Sequence, residues 1–160
     1  MKFCSFIFFT FLNYNILLSQ YIELPRIGVL DFEPRSIPTS LSQRFTEAVR
    51  NEIENINLVQ VIDRGSLLST LEERGYKRSN CITDYCEALI GQLLEVDFIL
   101  SGSIAYADSI YTIDMNMVSV PIGSIDKSIT MRVFGDYQNL MDEAEVAAWN
   151  LFGLKSPQQI

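Results

Sequence analysis

The chain has 160 residues, which suits one domain, and it has no histidine, which excludes Ser-His-Asp and Cys-His catalysis and His-ligated zinc. Its formal net charge is −8. This acidic balance argues against nonspecific binding to nucleic acid or to an anionic membrane surface, because both require clustered lysine and arginine.

The first twenty residues have the features of a secretory signal peptide. A lysine at position 2 precedes a short apolar run, and the first acidic residue is Glu23. Polar residues at positions 13–15 interrupt the run and make it unsuited to span a membrane. We therefore expect residues 1–20 to be removed on export to the periplasm. The alternative is that they are retained as an N-terminal anchor.

Strand and helix patterns alternate in the first half of the chain. Residues 26–32 form a short apolar run before Pro34, which predicts a strand covered on both faces. Ser40 and Gln43 have the spacing of a capping box, and an amphipathic pattern predicts a helix after them. Residues 58–62 predict a second strand, which should be parallel to the first because a helix connects the two.

Two further helices are predicted before the pattern changes. Asp63 has the position of a helix N-cap, and Leu67 and Leu68 are expected on the buried face of that helix. Gly75 should end it in a left-handed conformation, and Thr83 should begin the next helix.

In the second half, apolar and polar residues alternate with a period of two. This pattern predicts three antiparallel strands, joined by tight turns, at residues 98–107, 110–120 and 125–134. A last amphipathic helix follows them. The predicted fold class is therefore α/β, or α+β, with a mixed five-stranded sheet in the order β-α-β-α-α-β-β-β-α and helices on both faces near the first two strands. A single domain should span residues 21–155, with a tail at 156–160.

One face of the three-stranded meander is polar and has no predicted cover. On the last strand, Ile125 and Ile129 are expected to share the apolar face, and hydroxyl, amide and charged groups occupy the opposite face. Such a polar face is either solvated or in contact with another subunit or a partner protein. The candidate interaction face consists of Ser101, Ser103, Thr112, Asp114, Asn116, Ser128, Thr130 and Arg132.

Two carboxylates follow the predicted parallel strands. Asp31 and Asp63 lie at strand ends, where α/β enzymes often place functional groups. The simpler interpretation is that Asp63 caps a helix and Asp31 binds the loop that follows it. The glycines are isolated and form no phosphate-binding loop. We therefore predict that the protein is not an enzyme and has no catalytic residues, no cofactor and no metal.

Removal of residues 1–20 leaves two cysteines, Cys81 and Cys86. An even pair in an exported protein suggests a disulfide. Two cysteines without histidine supply half of a zinc site, and the spacing differs from that of a Cys-x-x-Cys redox centre. We predict a structural disulfide between them, with a metal site or a redox centre as the alternatives.

Four segments of the sequence, taken in order, suggest a family. They are IGVLDF at 27–32, VIDR at 61–64, CITDYCEA at 81–88 and IGQLLEVDFILSGSI at 90–104. Together they resemble the curli production assembly/transport (CsgG-like) family, which is related to the lipoprotein activators of penicillin-binding proteins. The resemblance implies an exported, non-enzymatic domain that acts in the periplasm or at the outer membrane. Unlike the curli channel proteins, the chain has no acceptable lipid-bearing cysteine at its start.

Each strand of a membrane-crossing hairpin takes about 9–11 residues. The three predicted strands of the meander are already part of the sheet, so no residues remain for extra hairpins of this kind. We therefore expect no transmembrane pore formed by this chain alone.

Three functions are consistent with the sequence. The first is a periplasmic domain of the curli-transport type that contacts envelope or secretion proteins, or further copies of itself, during secretion or assembly. The second is an accessory activator of a penicillin-binding protein in peptidoglycan synthesis. The third is a small-ligand binder or hydrolase that uses Asp31 and Asp63. None of the three involves nucleic acid.

Overall fold

The computed structural model describes residues 23–76 and 83–159, so the predicted signal peptide and Cys81 lie outside the described residues. Within those two ranges the chain forms six strands and four α-helices. In chain order they are β1 (Arg26–Val29), β2 (Glu33–Arg35), α1 (Thr39–Ile56), β3 (Gln60–Val61), α2 (Arg64–Glu73), α3 (Asp84–Leu93), β4 (Phe98–Ala107), β5 (Ile110–Ser119), β6 (Ser124–Phe134) and α4 (Tyr137–Leu151).

The strands form one mixed sheet, which confirms the predicted fold class. Their order across the sheet is β3-β1-β4-β5-β6, and β2 pairs with β4 beyond the end of β1. β1 is parallel to β3 and to β4, whereas β4, β5 and β6 are antiparallel. The helix α1 connects β1 to β3, which accounts for their parallel direction.

Two hydrophobic clusters lie on opposite faces of the sheet. The larger cluster packs α1 and α4 against one face, where Phe45 and Leu140 meet sheet residues such as Met115. The smaller cluster packs α2 and α3 against one end of the other face, where Ile99 and Val120 lie. The remainder of that second face is the part that carries the predicted polar residues.

A one-residue bulge separates β1 from β2. Val29 is paired with Leu100 and Glu33 with Ser103, so three residues of the first segment oppose two residues of β4. The bulge turns Phe32 into the larger cluster. The prediction of one continuous strand over residues 26–32 is therefore wrong in its second half, because a short apolar run contains no signal for a bulge.

The helix α1 satisfies the main-chain groups that the bulge removes from the ladder. The Phe32 N–H donates to Thr46 Oγ1 at 2.9 Å, and Ser42 Oγ donates to the Phe32 carbonyl oxygen at 2.6 Å. Ser42 and Thr46 are almost completely buried. Their position in the core is explained by this pairing, since a buried main-chain group without a partner is costly.

A second bulge lies in β6. The register with β5 shifts between Met117 and Val118, which leaves Asp126 as an extra residue. Val118 is paired with Ile125, so Ile125 lies on the opposite face of the sheet from Ile129. This corrects the expectation, from strict alternation, that the two isoleucines share a face.

Most helix ends follow their sequence signals. The side chains of Asp63 and Thr83 cap α2 and α3 as predicted, and Gly75 follows α2 with a φ of +66°. The capping box predicted at Ser40 is wrong, because α1 already begins after Pro38 and no side chain caps it.

The helix α2 is held weakly against the sheet. Leu67 is its buried residue, whereas Leu68, which was expected on the same face, is 39% exposed. Neighbouring residues point about 100° apart around a helix, so only one of the two leucines faces the core here.

The residues predicted as a tail, 156–160, contact α4 where the structure describes them. Ser156 is fully buried, and Pro157–Gln159 forms a short 3₁₀ helix. The side-chain amide and the main-chain N–H of Gln158 both donate to the carboxylate of Glu145, at 3.0 and 3.2 Å. Residues 156–159 therefore belong to the folded domain.

Candidate functional site

The eight residues of the candidate interaction face lie together on one surface of β4, β5 and β6. Directly opposed residues of antiparallel strands share a face, so the strand register arranges these side chains in rows across the sheet. The first row is Ser101, Asn116 and Ser128, the second is Ser103, Asp114 and Thr130, and the third is Thr112 and Arg132 beside Ala105.

The short strand β2 extends two of these rows with charged residues. Its register with β4 places Glu33 in the second row and Arg35 in the third. Their side chains form an exposed ion pair at 3.1 Å. The second row therefore contains the carboxylates Glu33 and Asp114, and the third row contains the guanidinium groups of Arg35 and Arg132. The sequence alone did not indicate the two β2 residues, because β2 was not predicted.

Two hydrogen bonds across the strands fix the orientation of the polar groups. Ser128 Oγ donates to Asn116 Oδ1, and Thr130 Oγ1 donates to Asp114 Oδ1, each at 2.7 Å. No residue in the described ranges forms a hydrogen bond with Asn116 Nδ2 or with Asp114 Oδ2. Each of these side chains is therefore held in place while one of its polar atoms is still able to bind a further group.

The two serines of β4 are different, since they are nearly buried. Ser101 and Ser103 are each 5% exposed. Among the described residues, neither hydroxyl has a hydrogen-bond partner, and neither is completely enclosed by protein. A hydroxyl in this position retains its capacity both to donate and to accept a hydrogen bond.

An open groove of about 710 Å³ runs over the first two rows. α3 borders it through Glu87, and the bulge with β2 borders it on another side. Four carboxylates and one guanidinium line this surface, which we call the polar groove. It is lined by Asp31, Phe32, Glu33, Pro34, Arg35, Thr39, Gln43, Glu87, Ser101, Gly102, Ser103, Asp114, Asn116 and Ser128.

The two carboxylates considered for catalysis are both engaged in structural contacts. Asp31 accepts two hydrogen bonds from the guanidinium of Arg64, at 2.6 and 3.2 Å. Asp63 accepts a hydrogen bond from the Ser66 N–H at 2.8 Å and caps α2. Hydrogen bonds from Ser66 hold the pKa of Asp63 below its usual range. A general acid needs a raised pKa, so this environment is opposite to the one that acid catalysis requires.

A buried arginine lies beside these carboxylates. Arg50 is 4% exposed, and it donates to the carbonyl oxygens of Val29 at 2.6 Å and Ile62 at 3.0 Å. Its Nε lies 3.5 Å from a carboxylate oxygen of Glu47, an ion-pair contact without hydrogen-bond geometry. Burial lowers the pKa of Arg50, and the negative charge of Glu47 opposes that effect. Its amphipathic position in α1 gave no sign of this role, because an arginine on a helix is usually exposed.

The predicted disulfide can be followed at one of its two residues. Cys86, in the first turn of α3, is disulfide-bonded. Cys81 lies outside the described residues, so the pairing of Cys81 with Cys86 stays a prediction.

In residues 23–76 and 83–159 there is no group of three or more acidic or cysteine side chains placed to hold a metal ion. In the same ranges, none of the helices combines the length and the apolar character needed to cross a membrane.

Comparison with solved structures finds this fold in several bacterial proteins. The C-terminal domain of LpoB from Salmonella enterica matches with a TM-score of 0.58 and 17% identity, over 72% of this chain and 87% of that chain. Lipoprotein GNA1162 from Neisseria meningitidis matches with a TM-score of 0.61 and 12% identity, over 81% and 96% of the two chains. A PelC dodecamer from Paraburkholderia phytofirmans matches with a TM-score of 0.56 and 11% identity, over 83% and 90%.

Models of known protein families and curated protein sequences give no match to this chain. At identities below 20% the structural likeness establishes a shared fold. LpoB is an activator lipoprotein of a penicillin-binding protein. A link to the CsgG-like family is not shown.

Proposed function

We propose that this protein is a non-enzymatic accessory protein of the bacterial envelope that activates a penicillin-binding protein through direct contact. The observation that carries the proposal is the shared fold with the LpoB C-terminal domain, which extends over 72% of this chain. A signal-peptide-like N-terminus and a cysteine in a disulfide are consistent with the periplasm as the site of action. Association with the outer membrane is part of the same proposal.

Activation by contact requires a surface and no reacting group. The Ser128–Asn116 and Thr130–Asp114 hydrogen bonds preorganise the candidate interaction face. This face lies on strands, which hold side chains more precisely than loops do. Asp31 and Asp63, the residues considered for a hydrolase, are instead held by Arg64 and by the start of α2. These contacts favour the accessory role over the hydrolase.

A reconstituted assay tests the proposal. The exported form of the protein is added to a purified penicillin-binding protein from the same organism, and the rate of peptidoglycan synthesis is measured together with co-elution of the two proteins. We expect co-elution and a higher rate of synthesis. If the protein neither co-elutes with any penicillin-binding protein of that organism nor raises its rate of synthesis, the activator function is refuted.

A pair of matched variants locates the contact. Asn116→Arg introduces a bulky charge in the first row of the polar face and should abolish activation. Asn51→Arg makes the same change on the exposed side of α1 and should leave activation unchanged. Circular dichroism of both variants checks that they fold. Equal activation by both variants would mean that the polar face is not the contact.

A further inference from the structure

The polar groove has a distinctive charge. Asp31, Glu33, Glu87 and Asp114 line it, with Arg35 as the cation among its lining residues. Arg64 pairs with Asp31 and Arg35 pairs with Glu33, whereas no described cation pairs with Asp114. Asp114 therefore leaves negative charge in the groove that would attract a cationic group and repel an anionic one. These carboxylates differ in how readily their oxygens can accept a hydrogen bond from a ligand.

Asp31 is the least available of the lining carboxylates, because both of its oxygens accept from Arg64. Glu33 is exposed, and its contact with Arg35 is a surface ion pair between two side chains that are each 57% exposed. Such a pair contributes little free energy and is easily exchanged for another. Asp114 is held by Thr130 through one oxygen, so its second oxygen is able to accept from a ligand.

The floor of the groove supplies a second and independent indication of a ligand. Ser101 and Ser103 are 5% exposed, which is a degree of burial at which side-chain polar atoms normally have a hydrogen-bond partner, either in the protein or in an ordered water molecule. No hydrogen bond joins either hydroxyl to another described residue, and neither oxygen is enclosed by protein, so both stay accessible from the groove. Both residues line the groove, so a bound molecule is able to supply the missing hydrogen bonds.

We propose that the polar groove binds a basic, extended segment of the partner protein, with lysine or arginine side chains against Glu33 and Asp114 and main-chain groups against Ser101 and Ser103. An extended segment fits because its side chains alternate and its main-chain N–H and C=O groups stay available to the floor of the groove. The biological setting of this inference, a partner in the envelope, rests on the proposed function. A second copy of this chain fits less well, since each copy has a net charge of −8.

Peptide binding tests the groove without the synthase. The probes are an eight-residue peptide of alternating lysine and serine and the same peptide with glutamate in place of lysine, each titrated into the exported form of the protein while amide NMR shifts are followed. We expect the basic peptide to bind, with its largest shifts at Ser101, Ser103 and Asp114. The acidic peptide should cause no comparable shifts. Shifts from the basic peptide that are spread evenly over the surface would overturn the proposal.

Charge-matched variants separate a site from general attraction to an acidic protein. Glu33→Gln with Asp114→Asn removes two charges from the groove and should weaken basic-peptide binding by about tenfold or more. Glu72→Gln with Glu73→Gln removes two charges from exposed positions on α2 and should change it by less than about twofold. An equal effect of the two double variants would overturn the inference.

Two further outcomes are distinguishable. Concentration-dependent dimerisation in light scattering, abolished by the groove variant and not by the α2 variant, would assign the groove to a second copy of the chain and overturn the proposal. Peptide binding that follows these expectations, without any effect of the protein on a penicillin-binding protein, would refute the proposed function and leave the groove as a site for basic segments.

Discussion

At the scale of single residues, Arg50 connects the two parallel strands at the start of the fold. Its guanidinium donates to the carbonyl oxygens of Val29, the last residue of β1, and of Ile62 just after β3, and the side chain is 4% exposed. A buried cation is favourable only when such hydrogen bonds offset its loss of hydration.

Replacing Arg50 with methionine, which has a similar length and no charge, should destabilise the protein. The change leaves two carbonyl groups without donors, and we expect the free energy of unfolding to fall by about 2–4 kcal/mol. Chemical denaturation measures the loss. Arg44→Met, at an exposed position of the same helix, is the matched control and should change stability by less than about 0.5 kcal/mol. A comparable loss in both variants would show that Arg50 has no special structural role.

At the scale of elements, Gly91 determines how closely α3 approaches the sheet. A Cβ atom built at this position overlaps Val120 Cγ2 and lies 3.1 Å from Ile99 Cγ1. Alanine would therefore push the helix away from β4 or force Val120 to change its rotamer. Overpacking of this kind typically costs about 1–3 kcal/mol, against a gain of about 1 kcal/mol from the higher helix propensity of alanine.

Gly91→Ala should lower the free energy of unfolding, and Val120→Ala should relieve part of that loss. In the Val120→Ala background the overlap with Val120 Cγ2 is removed, whereas the contacts with Ile99 Cγ1 at 3.1 Å and with the Cβ of residue 120 at 3.3 Å remain, so we expect Gly91→Ala to cost less there than in the original chain. A double-mutant cycle with chemical denaturation gives the coupling, which we expect to exceed about 1 kcal/mol. Additive effects of the two substitutions would mean that α3 is not positioned by this contact.

The elements also show which parts of the fold are readable in the sequence. The three long strands follow from alternation alone, and Asp63 and Thr83 mark helix starts because their side chains accept from main-chain N–H groups that need partners. The bulge before Phe32 leaves no such mark. Its cost is offset by Thr46 and Ser42, which lie in another element, so the compensation is visible only once α1 is packed on the sheet.

The candidate functional site is likewise only partly predictable from the sequence. The rows of the candidate interaction face follow from the period-two pattern, but the groove is also lined by Glu33 and Glu87, which reach it from β2 and α3. No local pattern predicts that these segments lie beside β4. The sequence therefore predicts the strands that carry the candidate interaction face, but it does not predict the chemical character of the polar groove.

At the scale of the whole molecule, the two sides of the sheet are covered unequally. α1 contributes six buried residues to the fold, whereas α2 contributes Leu67 alone. The smaller cluster on the α2 and α3 side has fewer buried contacts to lose when it opens. Local opening should therefore begin on that side.

Hydrogen exchange followed by mass spectrometry tests this asymmetry. Amides of α2 (Arg64–Glu73) should exchange at least about tenfold faster than those of α1 (Thr39–Ile56) under native conditions, because opening α2 exposes little apolar surface. Leu67→Ala should accelerate exchange in α2 and leave exchange in α1 nearly unchanged. Equal protection of both helices would indicate that the molecule opens only as one cooperative unit.

The extra residue at Asp126 has a consequence for the comparison of distant sequences. The inward and outward positions of β6 alternate along the strand, and the extra residue exchanges them. Ile125 and Ile129, which lie on either side of Asp126, therefore face opposite sides of the sheet. A distant homologue that lacks the extra residue would need a one-residue gap at this point for structurally equivalent residues to be aligned. An alignment made on hydrophobic alternation without that gap would pair inward positions with outward ones across half of the strand. Searches for relatives of this chain should therefore allow an insertion or deletion inside β6, where alignment methods normally penalise one.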